Sequence, residues 1–498
     1  MTNLATNLVT TTQRQSEHSA IRINGQSISY GQLHAMAAKV AGDLRAAGIQ
    51  PGDRVAIILP NVPAFPVVFW GILLAGGVVV PMNPLLKAGE IDYFFTDSGA
   101  KIAFVWPDFV PEATKGAATS GTQIIECNPL GPNPGGLPEG TPIGEPSERT
   151  DEDDAIILYT SGTTGRPKGA QLTHRNIHLN ATRSATVILE VTSDDVIMGC
   201  LPLFHVFGLV VGLNAATVVG ASLALIPRFD PEAAIETIEK ERVTIFQGVP
   251  TMYAAIVNHP RGDGMDASSL RACASGGSAM PLEVMRAFED KFGCIILEGY
   301  GLSETSPVAS FNMPDRERKP GTIGVAIPGC EMRCVDLNGN EVPVGEVGEI
   351  AIRGDNVMKG YWGKPEATAE AIPDGWFRTG DLATMDEEGY FTIVDRKKDM
   401  ILRGGMNVYP REVEETIYQH PDVLEVAVVA IPDDLLGENV GAAVALRPGS
   451  TTTPQDIIDF TKDRIAAYKY PREVWFVGEL PKGPTGKILR REVHQPGD

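Results

Sequence analysis

Short apolar runs rich in Val and Ile alternate with longer amphipathic stretches along most of the chain. RVAIIL, IAFVW and AIILYT have the length and β-branching of buried strands, whereas SYGQLHAMAAKVAGDLRAAG and DPEAAIETIEKER space their apolar residues as helices do. This alternation predicts α/β layers built on parallel sheets. Val55–Leu86 carries no charge, but Pro60, Pro63 and Pro66 interrupt it. It divides into a strand VAIIL, a helix AFPVVFWGILLAGG and a strand VVVP, none long enough to span a bilayer as a helix. Val196–Pro227 is likewise uncharged apart from a possible charge on His205 and is broken by Pro202 and several glycines. It reads as core between sheets; the pattern allows peripheral membrane contact, which is not expected.

The style of the sequence changes twice further on. CNPLGPNPGGLPEGTPIGEPSERTDEDD is dense in Pro, Gly and acids and reads as a surface loop. From about Gly324, short runs such as GEIAIRG and GYFTIVD point to an antiparallel, barrel-like layer. After DRKKD, Asp395–Asp399, come a helix PREVEETIYQHP, strands VLEVAVVAIP and AAVALRP, a helix TPQDIIDFTKDRIA and a strand EVWFVGEL. That is a self-contained α+β pattern of small-domain size. The expected fold is therefore α/β: a large N-terminal domain, residues 1–397, of two layered α/β sheets plus a barrel-like subdomain, then a small α+β domain, residues 398–498. A chain of 498 residues also exceeds what one core supports, about 250–300 residues.

Composition narrows the partners. The chain has 42 Lys and Arg against 63 Asp and Glu, a net charge of −21, which repels nucleic acid and anionic lipid. Six cysteines, Cys127, Cys200, Cys273, Cys294, Cys330 and Cys334, lack paired metal-ligand spacing and read as reduced thiols. MTNLATNLVTTTQRQSEHSA lacks the charged start and apolar centre of a signal peptide, so a cytoplasmic location is expected.

One stretch asks for chemistry. YTSGTTGRPKGA, Tyr159–Ala170, exposes successive backbone N–H groups and hydroxyls beside one lysine, as an anion cradle does. It is not a Walker loop, because no Ser or Thr follows the lysine. With PLFHVFG, ASGGSAMP, EGYGLSET, GWFRTGDL, DRKKDMILRGGMNVYPREVE and PKGPTGKILRR in that order, nearly the whole chain resembles the adenylate-forming superfamily of acyl- and aryl-CoA synthetases, adenylation domains and luciferases.

The resemblance implies ATP- and Mg²⁺-dependent activation of a carboxylic acid through an acyl-adenylate, then transfer to a pantetheine thiol. Thr160, Ser161, Gly162, Thr163, Thr164, Gly165 and Lys168 would hold the β- and γ-phosphates, with Glu304 and Thr160 as Mg²⁺ ligands. Gly276, Gly277, Ser278, Glu298, Gly299, Tyr300 and Gly301 would surround the adenine, and Asp381 and Arg396 the ribose. Lys487 would bridge the carboxylate and the α-phosphate. The small domain would be mobile about a hinge at Lys398, bringing Gly404 and Gly405 to the thiol side.

The resemblance also implies catalytic roles for Arg396 and for His205, the latter between the acyl pocket and the pantetheine tunnel; His205, Phe207, Leu209 and Val249, with Val211, Leu213 and Gln247–Pro250, are the candidate acyl wall. Met198–Ala221 contains no acid, which disfavours amino-acid substrates, and malonate would need Arg271 or Arg228 turned inward. Medium- or long-chain fatty acids are the expected substrates, with cinnamate-like aryl acids as the alternative. The acceptor is coenzyme A or the phosphopantetheine of an acyl carrier protein. A catalytically dead scaffold is disfavoured because Lys168, Glu304, Asp381, Arg396 and Lys487 are all present.

Overall fold

Val55–Leu86 buries its apolar run by alternating element types. Arg54–Ile58 and Val78–Pro81 are adjacent parallel strands, and every residue of the intervening helix Ala64–Leu74 is buried. A helix apolar on all sides belongs inside a layered fold. The computed structural model describes residues 3–160, 166–433 and 435–495, and among these no helix is long and apolar enough to cross a membrane.

Two large sheets have parallel centres and antiparallel edges. One runs Gly360–Tyr361, Lys168–Thr173, Asp154–Thr160, Val78–Pro81, Arg54–Ile58, Ile102–Val105, Gln123–Asn128, Gly131–Pro132. The other runs Val325–Ala326, Val308–Phe311, Ile296–Gly301, Ala272–Ser275, Ile245–Gly248, Val196–Gly199, Ser222–Leu225, Ser19–Ile23, Gln26–Ser29. Side chains alternate faces along each strand. In Arg54–Ile58, Val55 and Ile57 join the central core, while Ala56 and Ile58 join a separate cluster with Phe95 and Val105. The central core takes in Ile156, Ile197, Leu223 and Ile245 from both sheets together with Leu209, Val211 and Leu213. The uncharged Val196–Pro227 segment is thus spent between the sheets.

The layer expected after Gly324 is an antiparallel sheet of Cys330–Val335, Gly348–Gly354, Phe377–Met385 and Phe391–Arg396. From Ile401 onward a further sheet forms on its own core. Gly437–Leu446 and Val423–Asp433 make its long antiparallel pair, and the helices Pro410–Tyr418 and Pro454–Lys462 cover it through Val413, Ile417 and Ile457.

Several contacts tie this last unit to the large one. Thr251 Oγ1 donates to Gly486 O at 2.8 Å, Arg447 Nη1 donates to Asn258 Oδ1, and the Glu415 carboxylate accepts the N–H of Leu282. Leu282 opens the helix Leu282–Phe292, whose own N-cap, Pro281, supplies no side-chain acceptor. The carboxylate of Glu415 therefore serves an orphan N–H at the positive end of a helix in the other unit.

Candidate active site

In parallel sheets, loops gather beyond the C-terminal ends of the strands, and sites form there. The hairpin of Asp154–Thr160 and Lys168–Thr173 pairs Thr160 with Lys168. Its tip, with Ser161, Gly162, Thr163, Thr164 and Gly165, lies outside the described residues. At its base, Thr160 Oγ1 donates to Glu304 Oε1 at 3.2 Å, and Tyr361 Oη donates to the same oxygen at 3.0 Å. Lys168 Nζ stands 5.1 Å from the centre of the Tyr361 ring. Glu304 is 8% exposed, and burial pushes its pKa up. Its carboxyl and the Thr160 hydroxyl form a pair of hard oxygens of the kind that suits a small divalent cation.

Tyr361 is absent from the sequence reading. It reaches the site because Gly360–Tyr361 pairs with Gln171 and Ala170 at the edge of the sheet, and no local motif signals that pairing.

Asp381 and Arg396 face each other on adjacent antiparallel strands, with Arg396 Nε 3.2 Å from Asp381 Oδ1. Tyr300 Oη donates to Asp381 Oδ2 at 2.6 Å; burial and the adjacent carboxylate push the phenol pKa well up, so it stays a donor. Glu349 braces this corner from behind by accepting from Gly380 N at 3.0 Å and Arg378 Nη2 at 2.8 Å.

The glycines of EGYG have a nearer reason than a ligand. A Cβ on Gly299 would lie 2.2 Å from the Phe311 ring, and one on Gly301 would lie 1.8 Å from Pro307 O. Glu298, 1% exposed, accepts the Met280 N–H at 3.0 Å and so holds the loop containing Gly276, Gly277 and Ser278. Burial raises its pKa to about 7.

Lys487 arrives from the C-terminal unit. A tight turn, in which Gly483 N donates to Lys487 O at 2.8 Å and Gly486 adopts φ 81°, presents it against Thr251 and Val249. A Cβ at Gly486 would sit 3.1 Å from both Thr251 Oγ1 and Val249 Cγ2, so this contact favours glycine twice over. Burial lowers the Lys487 pKa to about 8; the charge of Arg396 pushes the same way and Asp381 opposes it. His205 is pushed down to about 4 by burial, with the charge of Lys487 adding to the effect, and its Nδ1 accepts from Phe207 N at 3.3 Å. His205 is therefore a neutral imidazole at neutral pH.

The acyl-wall candidates Leu209, Val211, Leu213 and Val249 are buried, and Phe207 lies beside Gly276, where a Cβ would come within 3.2 Å of its ring. Arg271 does not enter this wall: Asp195 grips it through Nε at 2.8 Å and Nη2 at 2.7 Å, and Arg228 is exposed. Gly404 and Gly405, with φ 56° and 82°, form the exposed tip of the hairpin Ile401–Arg403 and Met406–Val408, apart from the groups around Lys487.

Lys398 is exposed in the turn closed by Asp399 N donating to Arg396 O at 3.0 Å. Beside that turn, Arg490 binds Glu414 through Nε at 3.1 Å and Nη2 at 2.6 Å, and Asp395 through Nη1 at 3.1 Å. Arg490→Ala should lower the stability of the full chain by about 2–3 kcal/mol, less than a fully buried pair because the guanidinium is partly exposed. The check is the midpoint of urea unfolding; an unchanged midpoint would mean that this cluster holds nothing together.

The sequence profile of the family described as AMP-binding enzyme matches residues 8–362, and that of the AMP-binding enzyme C-terminal domain matches residues 412–487. A long-chain-fatty-acid–CoA ligase of Bacillus subtilis (strain 168) is 37% identical over 516 residues, spanning 96% of this chain and 92% of its own length. A feruloyl-CoA synthase of Amycolatopsis sp is 40% identical over 486 residues, spanning 97% and 96%. The crystal structure of the anthranilate CoA ligase AuaEII in complex with anthranoyl-AMP superposes with a TM-score of 0.92 at 31% identity, covering 98% of this chain and 96% of that one.

Proposed function

This chain belongs to the AMP-binding enzyme family and is an AMP-forming acid–thiol ligase, and on that premise we propose how its residues divide two half-reactions. In the first, a carboxylate oxygen attacks the α-phosphorus of ATP, the bond to the β-phosphate oxygen breaks, and pyrophosphate leaves. In the second, a thiol sulfur attacks the acyl carbonyl, the thiol proton is lost, and AMP departs.

The observation that carries the reading is the seating of the Gly486–Lys487 turn on Thr251 and Val249 of the large unit, which leaves Lys487 within electrostatic range of the Asp381–Arg396 pair. Two anions must meet in the first step, and a cation held between them offsets their repulsion. Lys487 supplies that charge, Asp381 accepts hydrogen bonds from ribose hydroxyls, and Lys168 with the hairpin tip holds the outer phosphates. Glu304 and Thr160 would hold Mg²⁺, which when bound neutralises phosphate charge and polarises the phosphoryl oxygens. Neutral His205 lies within electrostatic range of Lys487 without adding a second positive charge.

Lys487 and the exposed Gly404–Gly405 hairpin belong to the same C-terminal unit. The second half-reaction is then served by rotation of that unit about Lys398, which withdraws Lys487 and brings the hairpin in. Lys398→Pro should slow thioester formation at least tenfold while acid-dependent pyrophosphate release stays near normal. Pro restricts the turn, and among the described residues the Lys398 N–H makes no hydrogen bond that its loss would break. Normal overall turnover in this variant would sink the rotation.

The acid has an apolar body and no second charge, because the wall is apolar and Arg271 is already paired. Relatives named for fatty acids and for an aryl acid are similarly close, so the fatty-acid preference read from the sequence rests on the wall alone. Coenzyme A is the proposed acceptor. The test is pyrophosphate release from ATP and Mg²⁺ across acids from acetate to palmitate, with cinnamates, malonate and amino acids, with and without coenzyme A. Release that coenzyme A does not accelerate would point to a carrier protein, and release with no acid would overturn the reading.

A further inference from the structure

The segment Phe207–Asn214 is wound as a π-helix, whose wider turn takes carbonyls out of the ordinary i to i+4 ladder. Two buried amides engage them: Asn214 Nδ2 donates to Leu209 O at 2.8 Å and Gln247 Nε2 donates to Val211 O at 3.0 Å. Those bonds fix which way each amide points. They also leave Asn214 Oδ1 and Gln247 Oε1 without a partner among the described residues, in side chains 0% and 1% exposed. Native folds seldom leave a buried acceptor unpaired, so each such atom asks for a donor.

For Gln247 the surroundings show where the oxygen faces. A methyl group added to buried Gly212, in the same π-helical segment, would meet nothing nearer than Gln247 Oε1 and Leu223 Cδ1, both at 3.9 Å. At neighbouring buried glycines the same addition collides, with Leu225 Cδ2 at 2.8 Å for Gly199 and with Pro202 O at 2.5 Å for Gly208. Room for one methyl group, in ordinary van der Waals contact with the Gln247 amide oxygen, is therefore present at Gly212 and absent at those two positions.

Strand alternation places that room on the substrate side. Along Ile245–Gly248, Phe246 packs outward on Tyr253 and Phe288, whereas Ile245 and Gln247 face the central core and the acyl-wall segment. Val249, two residues on, touches the turn that delivers Lys487. Two strand residues are about 7 Å, a span that a planar arylpropenoate bridges rigidly. Phe207 offers such a ring an aromatic neighbour.

Resting on the ligase reading above, we propose that Gln247 determines specificity: its Oε1 accepts a hydrogen bond from a hydroxyl at the far end of the acid, which makes 4-hydroxyaryl acids of the hydroxycinnamate type the preferred substrates. A site built to pair a substrate hydroxyl rejects the analogue lacking it, because its own buried group is then left unpaired. A carboxylate at the far end is rejected for a second reason, since Oε1 can only accept.

The test compares 4-hydroxycinnamate with cinnamate, which differ in that hydroxyl alone, with decanoate as a third acid, by coenzyme A-dependent pyrophosphate release from the full chain. The native enzyme should favour 4-hydroxycinnamate in kcat/KM by about 10²-fold or more. Gln247→Leu should bring the ratio to unity or below, chiefly through KM for the hydroxylated acid. Gly212→Ala, which fits at 3.9 Å and occupies the hydroxyl's place, should lower the ratio with the fold intact, and it decides the matter if Gln247→Leu does not fold. A native ratio within threefold of unity, or a ratio that neither variant moves, would overturn the proposal and leave Gln247 Oε1 to a bound water. Turnover of decanoate with neither aryl acid would overturn this inference alone; pyrophosphate release with none of the acids would overturn the ligase reading itself.

Discussion

Lys487→Ala is expected to lower acid-dependent pyrophosphate release by about 10²–10³-fold, the usual consequence of removing one charge-stabilising donor from a transition state. Thioester formation from acyl-adenylate supplied ready-made should stay within a few-fold of normal. The asymmetry follows from where the lysine sits: it belongs to the C-terminal unit and lies within electrostatic range of Asp381 and Arg396 while Thr251 and Val249 hold the Gly486 turn. Equal losses in the two half-reactions would show instead that the residue serves the fold.

The same lysine predicts a pH dependence. Its pKa is lowered to about 8, first by burial and then by Arg396. It carries its charge below that value and loses it above, so kcat/KM for adenylation, which reports on the free enzyme, should fall as pH rises through about 8. Thioester formation from supplied adenylate should not show this limb. Lys487→Arg keeps a charge at all accessible pH and should remove the limb even if activity is low, because a guanidinium cannot be titrated there.

Glu304→Gln should reduce adenylation by about 10²–10³-fold and raise the Mg²⁺ concentration needed for half-maximal rate. The variant keeps an acceptor oxygen for the Thr160 and Tyr361 hydroxyls, so its unfolding midpoint should match the native one. That separates the loss of charge from a loss of structure. A variant with full activity and an unchanged Mg²⁺ requirement would remove Glu304 from the proposed site. A variant that loses stability along with activity would make it a packing residue whose raised pKa reflects burial alone.

How far the site was legible depended on whether a residue's meaning is local. Lys168, Glu304, Asp381, Arg396 and Lys487 each stand inside a run whose residue types and order identify them. The strands and helices around them were legible for the same reason: the apolar period of Arg54–Ile58 or Pro231–Glu241 survives in the structure because burial on one face or two writes itself into neighbouring positions. Tyr361 and Arg490 were not placed at their tasks, and Gln247, read as part of the acyl wall, was not read as a hydrogen-bonding residue there. Tyr361 meets Glu304 across 57 residues of sequence, Arg490 meets Asp395 across 95, and Gln247 meets Val211 across 36. No spacing rule covers such distances.

Local rules also misassigned causes. Gly299 and Gly301 sit in a motif that invites a reading of close approach by a ligand, yet Phe311 and Pro307 already fill the places where their Cβ atoms would go. Glu298 lies in the same motif, but it turns inward to hold Met280 N–H. An adjacent strand crowds a backbone as effectively as a nucleotide would, and sequence cannot say which does so.

By itself the sequence determined the layered α/β architecture and the family, and it singled out the charged residues proposed to activate an acid, because these depend on residue type and short-range order. Only the tertiary structure decided that Lys487 comes within electrostatic range of Asp381 and Arg396 across the contact between two units, that Arg271 is consumed by Asp195, and that the Gln247 amide oxygen, unpaired among the described residues, lies beside Gly212. Those outcomes depend on which distant strands and turns come within a few ångströms of one another, and that is settled by how the whole core packs.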